Sequence, residues 1–255
     1  MKAIICDLDR TLLHTDKSIS SYTAEVFKKC RERGMLIMAA SARPMRAIIP
    51  YNDIIPFDSI CATNGAVISL PSGTLEVSFS TESGEAIISK LLEFPDVFLS
   101  VETSKGLYSN RDIPIWNPII YEKFPSLPED IVLYKILASS KESSLYEHIE
   151  STLTDDVYHT IADKVLIQIM SKNATKWNGV CKMLEYYSIS PSEAVYFGDD
   201  NDDIEPINNC GIGVAVANAI PAVLDVADKI TDGNDEDGVA HFLEKHILER
   251  SKQYE

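Results

Sequence analysis

The chain opens on Lys2-Ala3-Ile4-Ile5-Cys6, an apolar run with no polar alternation. Such a run suits a strand buried on both faces, as in a parallel sheet. Ser20 or Ser21 can cap a helix through Arg33, with Val26, Phe27 and Cys30 at helical spacing and Gly34 placed to end it. Residues 35–40 read as a second buried strand. A third strand-like run at 59–63 leads to the turn pair Asn64-Gly65.

The middle of the chain changes character. Residues 85–94 predict an amphipathic helix, 97–101 and 131–136 predict strands, and 142–153 another helix. The segment 157–169 completes this block, and the proline-containing stretches within 113–128 mark loops. The last third returns to alternation. A helix is expected over 175–187 with Lys176 in its first turn, then a buried strand at 194–197 that ends in Gly198-Asp199-Asp200-Asn201-Asp202-Asp203. Residues 212–216 and 229–231 read as short strands. Pro221 opens a helix, and Asp237-Gly238 precedes a final one to about Leu248. The pattern predicts an α/β fold: a doubly wound, Rossmann-like parallel-sheet core from residues 1–80 and 171–255, with an inserted α+β cap at 81–170.

The chain's 255 residues can bury a substantial core in one or two domains. The formal net charge of −16 argues against nucleic acid, which needs a basic footprint, and against anionic membranes. No apolar stretch is long enough to cross a bilayer, and the N-terminal run has no signal-peptide pattern, so a cytoplasmic protein is expected. The five cysteines, Cys6, Cys30, Cys61, Cys181 and Cys210, lack zinc-ligand spacing and read as reduced, mostly buried thiols. Cys6 precedes an acid, but strand alternation turns it away. The five histidines are dispersed and support neither a metal cluster nor a triad.

Chemistry concentrates after the first strand, in Asp7-Leu8-Asp9-Arg10-Thr11-Leu12. Two carboxylates two residues apart leave a strand end on the same side of the chain, at the edge where ligands bind in open α/β sheets. Their mutual repulsion calls for a cation or a shared proton. Ser41, Lys176, and Asp199 with Asp203 fall in similar settings, at strand ends or a helix start. A parallel sheet would bring these groups to one edge. Acids, a hydroxyl and an ammonium together suit phosphoryl transfer with a divalent metal.

These residues resemble the motifs of haloacid dehalogenase-like (HAD) phosphatases, in particular the Cof-type group with a large cap inserted before the lysine motif. Asp7-Leu8-Asp9-Arg10-Thr11, Ser41-Ala42-Arg43, Lys176, and Gly198-Asp199 with Asp203 stand in that family's order. The runs Gly211-Ile212-Gly213-Val214-Ala215-Val216-Ala217-Asn218-Ala219 and Asp237-Gly238-Val239-Ala240 match as well. The resemblance implies Mg²⁺-dependent hydrolysis of a small phosphomonoester, a sugar phosphate or related metabolite. Asp7 would be the nucleophile and Asp9 the general acid and base. Ser41 and Lys176 would complete the catalytic set. Ser41, Ala42, Arg43, Lys176 and Asp202 are the substrate-side candidates. Asp7, Asp9 through its backbone carbonyl, Asp199 and Asp203 are the metal-side candidates, with Asp203 able to act from behind the ligands. Closing the cap would exclude water, and Tyr108, Trp116 and Tyr121 either line its pocket or pack within it. A monomer or weak homodimer is expected.

Alternatives accompany each assignment. Ser41 can cap a turn, Lys176 can be an ordinary helix lysine, and Arg43 can pair with a structural carboxylate. Phe27, Trp177 and Leu184 read as core. Arg10 stands where the family usually has glycine, Ser41 where threonine is commoner, and Ala42 where glycine is common. Asp202 replaces a common asparagine, so it either binds metal or turns outward. Dehalogenation is disfavoured by the acid at Asp9. Phosphoryl transfer to another metabolite, as in related mutases, and a weakly catalytic phosphometabolite sensor are the rival functions.

Overall fold

A computed structural model describes residues 1–162 and 165–249. Residues 163–164 of the predicted 157–169 segment, and 250–255 of the predicted core, lie outside the described residues. The chain forms two compact units, one of Met1–Leu75 with Thr175–Glu255 and one of Glu76–Ala174.

The first unit begins with β1 (Ala3–Cys6), α1 (Ser21–Glu32), β2 (Leu36–Ala40), α2 (Met45–Asn52), β3 (Ser59–Ala62), β4 (Val67–Leu70) and β5 (Gly73–Glu76). The intervening unit holds α3 (Thr81–Leu91), β6 (Phe98–Thr103), β7 (Gly106–Ser109), β8 (Ile119–Ile120), β9 (Leu133–Ser139), α4 (Ser143–Glu147), α5 (Ile149–Thr152), β10 (Val157–Ala162) and β11 (Leu166–Ser171). The first unit resumes with α6 (Lys176–Tyr186), β12 (Ala194–Gly198), α7 (Ile204–Asn209), β13 (Ile212–Val216), α8 (Pro221–Val226), β14 (Lys229–Thr231) and α9 (Gly238–Leu243). A single wider helical turn, Glu244–Leu248, extends α9.

One sheet runs in the order β14-β13-β12-β1-β2-β3-β4-β5. Its strands pair in parallel from β14 to β3, and β4 adds antiparallel to β3. All four residues of β1 are fully buried, as a central strand covered on both faces requires. Strand order reverses between β1 and β12, so a topological switch point falls between Asp7 and Asp199. The antiparallel extension was not foreseen, because β4 and β5 are short and β5 is wholly exposed. Helix α2 was also missed. Pro44 is its N-cap and Pro50 lies inside it, residues that read as breaks in a sequence.

The Glu76–Ala174 unit is a six-stranded sheet, β10-β11-β9-β6-β7-β8, whose apolar face packs on α3, α4 and α5. Leu99, Val101, Ile136, Ala138, Ile167 and Ile169 from the strands meet Ile87, Ile88, Leu91, Leu145 and Ile149 from the helices. The single helix expected over 142–153 is two, broken at His148 with φ −111° and ψ 8°. The stretch read as loops contains β8. Tyr108 and Tyr121 stack edge to face at 5.4 Å, and Trp116 lies 6.1 Å from Phe98. These aromatics contact one another within the unit.

Candidate active site

Asp7 stands directly after β1 and continues its ladder by donating its N–H to Phe197 O at 2.9 Å. The turn behind it closes on Leu8 O, which accepts from Leu12 and Leu13 at 3.1 and 2.8 Å. Asp199 leaves the neighbouring β12. Lys176 is the first residue of α6, whose start is capped by Thr175 Oγ1 accepting from Asn178 N at 3.1 Å. Two glycines bring α6 this close. Gly65, at φ +92°, has no room for a Cβ against the Thr175 carbonyl, and a Cβ on Gly179 would overlap the Cys61 sulfur.

Lys176 Nζ donates to Asp7 Oδ1 at 2.8 Å and to Asp203 Oδ1 at 2.7 Å. All three side chains are buried. Burial disfavours the ammonium, but the carboxylates of Asp203 and Asp7 outweigh it and hold the Lys176 pKa well above its ordinary value. Lys176 is therefore a fixed cation. Burial raises the Asp7 pKa against the pull of Lys176, and the charges of Asp203 and Asp199 raise it further. Burial and the Asp203 charge likewise push Asp199 up to about 6, opposed by a hydrogen bond from Thr11. That Thr11 Oγ1 bond is buried and 2.9 Å long.

Asp203 is fully buried. Its Oδ1 accepts from Lys176 and from Tyr196 Oη at 2.6 Å, and its Oδ2 accepts from the N–H groups of Asp199 and Asp200 at 3.0 and 3.1 Å. Asp7, Asp199 and Asp203 each offer a carboxylate oxygen, all within 4.8 Å of one another. Three buried carboxylates so close, with one ammonium among them, leave excess negative charge that a divalent cation would neutralise. Hard oxygen donors of this kind fit Mg²⁺.

The other predicted residues fall around this cluster. The Asp9 carboxylate accepts from Arg43 Nε and Nη2 at 2.6 and 2.7 Å and from Lys17 Nζ at 2.8 Å. Burial raises its pKa, yet Arg43 and Lys17 outweigh burial and set it at about 2. Arg43 therefore meets the carboxylate of Asp9 in this conformation. Ser41, just after β2, is buried and its Oγ accepts the Arg43 N–H at 3.2 Å. Ala42, between them, is half-buried. Asp202 neither joins the metal-side cluster nor turns outward: its carboxylate accepts from the Asn64 side-chain amide. Arg10 is exposed at φ +59°, the left-handed conformation that explains why glycine suits its position. Trp177 is half-buried rather than core, whereas Phe27 and Leu184 are buried.

Sequence reasoning missed Lys17, Tyr196 and Asn64, and gave Thr11 no role. Thr11 lies inside the first motif, so it was within reach. Tyr196 sits in an apolar strand, and Lys17 and Asn64 sit in turns, where nothing in the pattern marks a partner. Among the described residues, no helix is long and apolar enough to cross a membrane.

A family model of haloacid dehalogenase-like hydrolases matches residues 4–243. The chain is 28% identical over 270 residues to the YxeH protein of Bacillus subtilis (strain 168), across 97% of this chain and 98% of that one. It is 26% identical over 264 residues to YitU of the same organism, a 5-amino-6-(5-phospho-D-ribitylamino)uracil phosphatase, across 96% and 97%. The solved structure of the HAD subclass IIB sugar phosphatase BT4131 is similar at a TM-score of 0.80 and 21% identity, covering 96% of this chain and 98% of that one.

Proposed function

The chain belongs to the haloacid dehalogenase-like hydrolases and is a phosphatase, and from that premise we propose that it hydrolyses a small phosphomonoester through an aspartyl-phosphate on Asp7. The buried Lys176, held between Asp7 and Asp203 beside Asp199, is the observation that carries this reading. An ordinary helix lysine would not be buried among carboxylates.

In the first step an Asp7 carboxylate oxygen bonds to phosphorus, and the bond from phosphorus to the leaving oxygen breaks. Asp9 supplies the proton that the leaving oxygen takes up. In the second step water attacks phosphorus, Asp9 accepts its proton, and the bond to Asp7 breaks. Asp9 must exchange Arg43 and Lys17 for the substrate before it can donate, since those cations favour its carboxylate. Lys176 neutralises the phosphoryl oxygens and holds Asp7 in place. Ser41 donates to a phosphoryl oxygen, with Ala42 and Arg43 beside it on the substrate side.

Mg²⁺ is the cofactor we propose, held by Asp7, Asp199 and the Asp9 carbonyl, and when bound it offsets the charge on the phosphoryl group. We assign Asp203 to positioning, because both its oxygens are already taken by four donors. The Glu76–Ala174 unit is our candidate for the substrate-selecting cap. A sugar or sugar-alcohol phosphate is the substrate class we favour, in keeping with the substrates named for YitU and BT4131. Five free thiols suit a cytoplasmic setting.

The test is phosphate release from a panel of phosphomonoesters, with Mg²⁺ or with a chelator. The reading predicts Mg²⁺-dependent release with no added acceptor, lost in Asp7→Asn. Release only with an acceptor would make the protein a transferase. Stabilisation by the esters without release would make it a sensor.

A further inference from the structure

Arg10 is held in a backbone conformation that a residue with a side chain rarely adopts, at φ +59°. Asn218 donates its Nδ2 to the Arg10 carbonyl at 2.8 Å, and Arg10 Nη2 donates back to the Asn218 carbonyl at 3.2 Å. Asn218 Oδ1 accepts the Asn234 N–H at 2.9 Å, and Asn234 Nδ2 donates to Leu13 O at 2.9 Å. The contacts close a ring that returns to the turn where it started. A neighbour on the same loop, Ile220, donates its N–H to the Asp199 carbonyl at 2.9 Å. The loop after β13 therefore grips both the turn carrying Asp9 and the strand end carrying Asp199.

We propose that Asn218 is a positioning residue for the metal site, which holds Arg10 left-handed and so aims the carbonyl of Asp9. This rests on the reading above, in which that carbonyl is a Mg²⁺ ligand. The peptide unit joining Asp9 to Arg10 is rigid, so rotation about the Arg10 N–Cα bond decides where its oxygen points relative to the rest of the turn. A side-chain-bearing residue drifts toward negative φ unless something holds it. Glycine takes either sign freely and needs no such hold. The side chain of Asn218 supplies the hold through the Arg10 carbonyl.

Calorimetric titration of the full-length protein with Mg²⁺ alone, without substrate, tests this. In the Arg10 background, Asn218→Ala is expected to raise the Mg²⁺ Kd about tenfold, equivalent to about 1.4 kcal/mol. In an Arg10→Gly background the same change is expected to shift Kd less than about twofold, because glycine holds positive φ unaided. Arg10→Ala keeps a Cβ but lacks the guanidinium, so Asn218→Ala again costs about tenfold there by the same conversion. That arm separates backbone from side chain, since the guanidinium bonds the Asn218 carbonyl, which Asn218→Ala retains. Should alanine unfold the loop, Asn218→Asp removes the donor, and its added charge cancels when the Arg10→Ala and Arg10→Gly backgrounds are compared, since neither carries the guanidinium that lies beside residue 218. An equal loss in all backgrounds, or none in the Arg10 background, overturns the proposal. No Mg²⁺ binding by the unaltered protein overturns the metal reading itself, and this inference with it.

Discussion

Lys176→Met removes the ammonium held between Asp7 and Asp203 and leaves two buried carboxylates without it. Breaking a buried pair by deleting one partner costs about 3–5 kcal/mol, because the remaining charge is uncompensated. For a chain of this size each kcal/mol moves Tm by roughly 2–4 °C, so the loss at pH 8 is roughly 6–20 °C. The loss depends on pH. Without Lys176, burial and Asp203 still push the Asp7 pKa above its unfolded value, so the folded state binds a proton more readily. Stability is then gained as pH falls, and the gap from the unaltered protein narrows toward pH 5. Thermal unfolding in chelator at both pH values measures this. Fluorescence of Trp177, in a Trp116→Phe background, follows the unit that holds Lys176 rather than the other. A gap below about 1 kcal/mol at pH 8, well short of the range for a broken buried pair, or a gap that does not change with pH, would refute the buried-pair argument.

Gly179→Ala forces a methyl group against Cys61 and is expected to cost about 1–3 kcal/mol, read as a lower denaturant midpoint with unchanged slope. An unchanged midpoint would mean that α6 can move away. Burial pushes the thiols of Cys61 and Cys210 up to about 12 and that of Cys30 to about 11, whereas Cys181 is half-buried. Alkylation of the native protein at pH 8 should therefore label Cys181 first, and comparable labelling of Cys61 contradicts this. Burial raises the Asp9 pKa, but Arg43 and Lys17 lower it to about 2, from 3.8. That lowering stabilises the fold above about pH 4 and is lost as pH falls toward 2. Asp9→Asn is expected to flatten the acid-unfolding curve in this window by under about 1 kcal/mol, since the pair is partly exposed. An identical curve would show that Asp9 is not held by those cations in solution.

The parallel core was legible because its strands are unbroken apolar runs, and the N-caps of α1 and α6, Ser20 and Thr175, are usual capping residues. The edge strand β5 was not, since exposure removes the apolar signal, and β4 beside it is only four residues long. In the site, Asp7, Lys176, Asp199 and Asp203 were expected to converge because the topology sends them to one edge, and the structure brings these four together. The Asp9 carboxylate was expected on the side of Asp7, by strand alternation. In the structure that carboxylate accepts from Arg43 and Lys17, partners that strand spacing could not supply, because the chain leaves β1 at Cys6 and turns on Leu8. The partner of Asp202, Asn64, lies far away along the chain, and Tyr196, a partner of Asp203, sits inside an apolar strand, so no local pattern reveals either.

The central claim is that Asp7 bonds to phosphorus. In Asp9→Asn, which lacks the base for the second step, a phosphoryl donor with a good leaving group that needs no acid should leave the intermediate standing. Borohydride reduction after rapid denaturation converts an aspartyl-phosphate to homoserine, which peptide mass mapping locates. Homoserine at position 7 is the predicted result. Donor consumption with Asp7 unmodified, or homoserine at another aspartate, would contradict it.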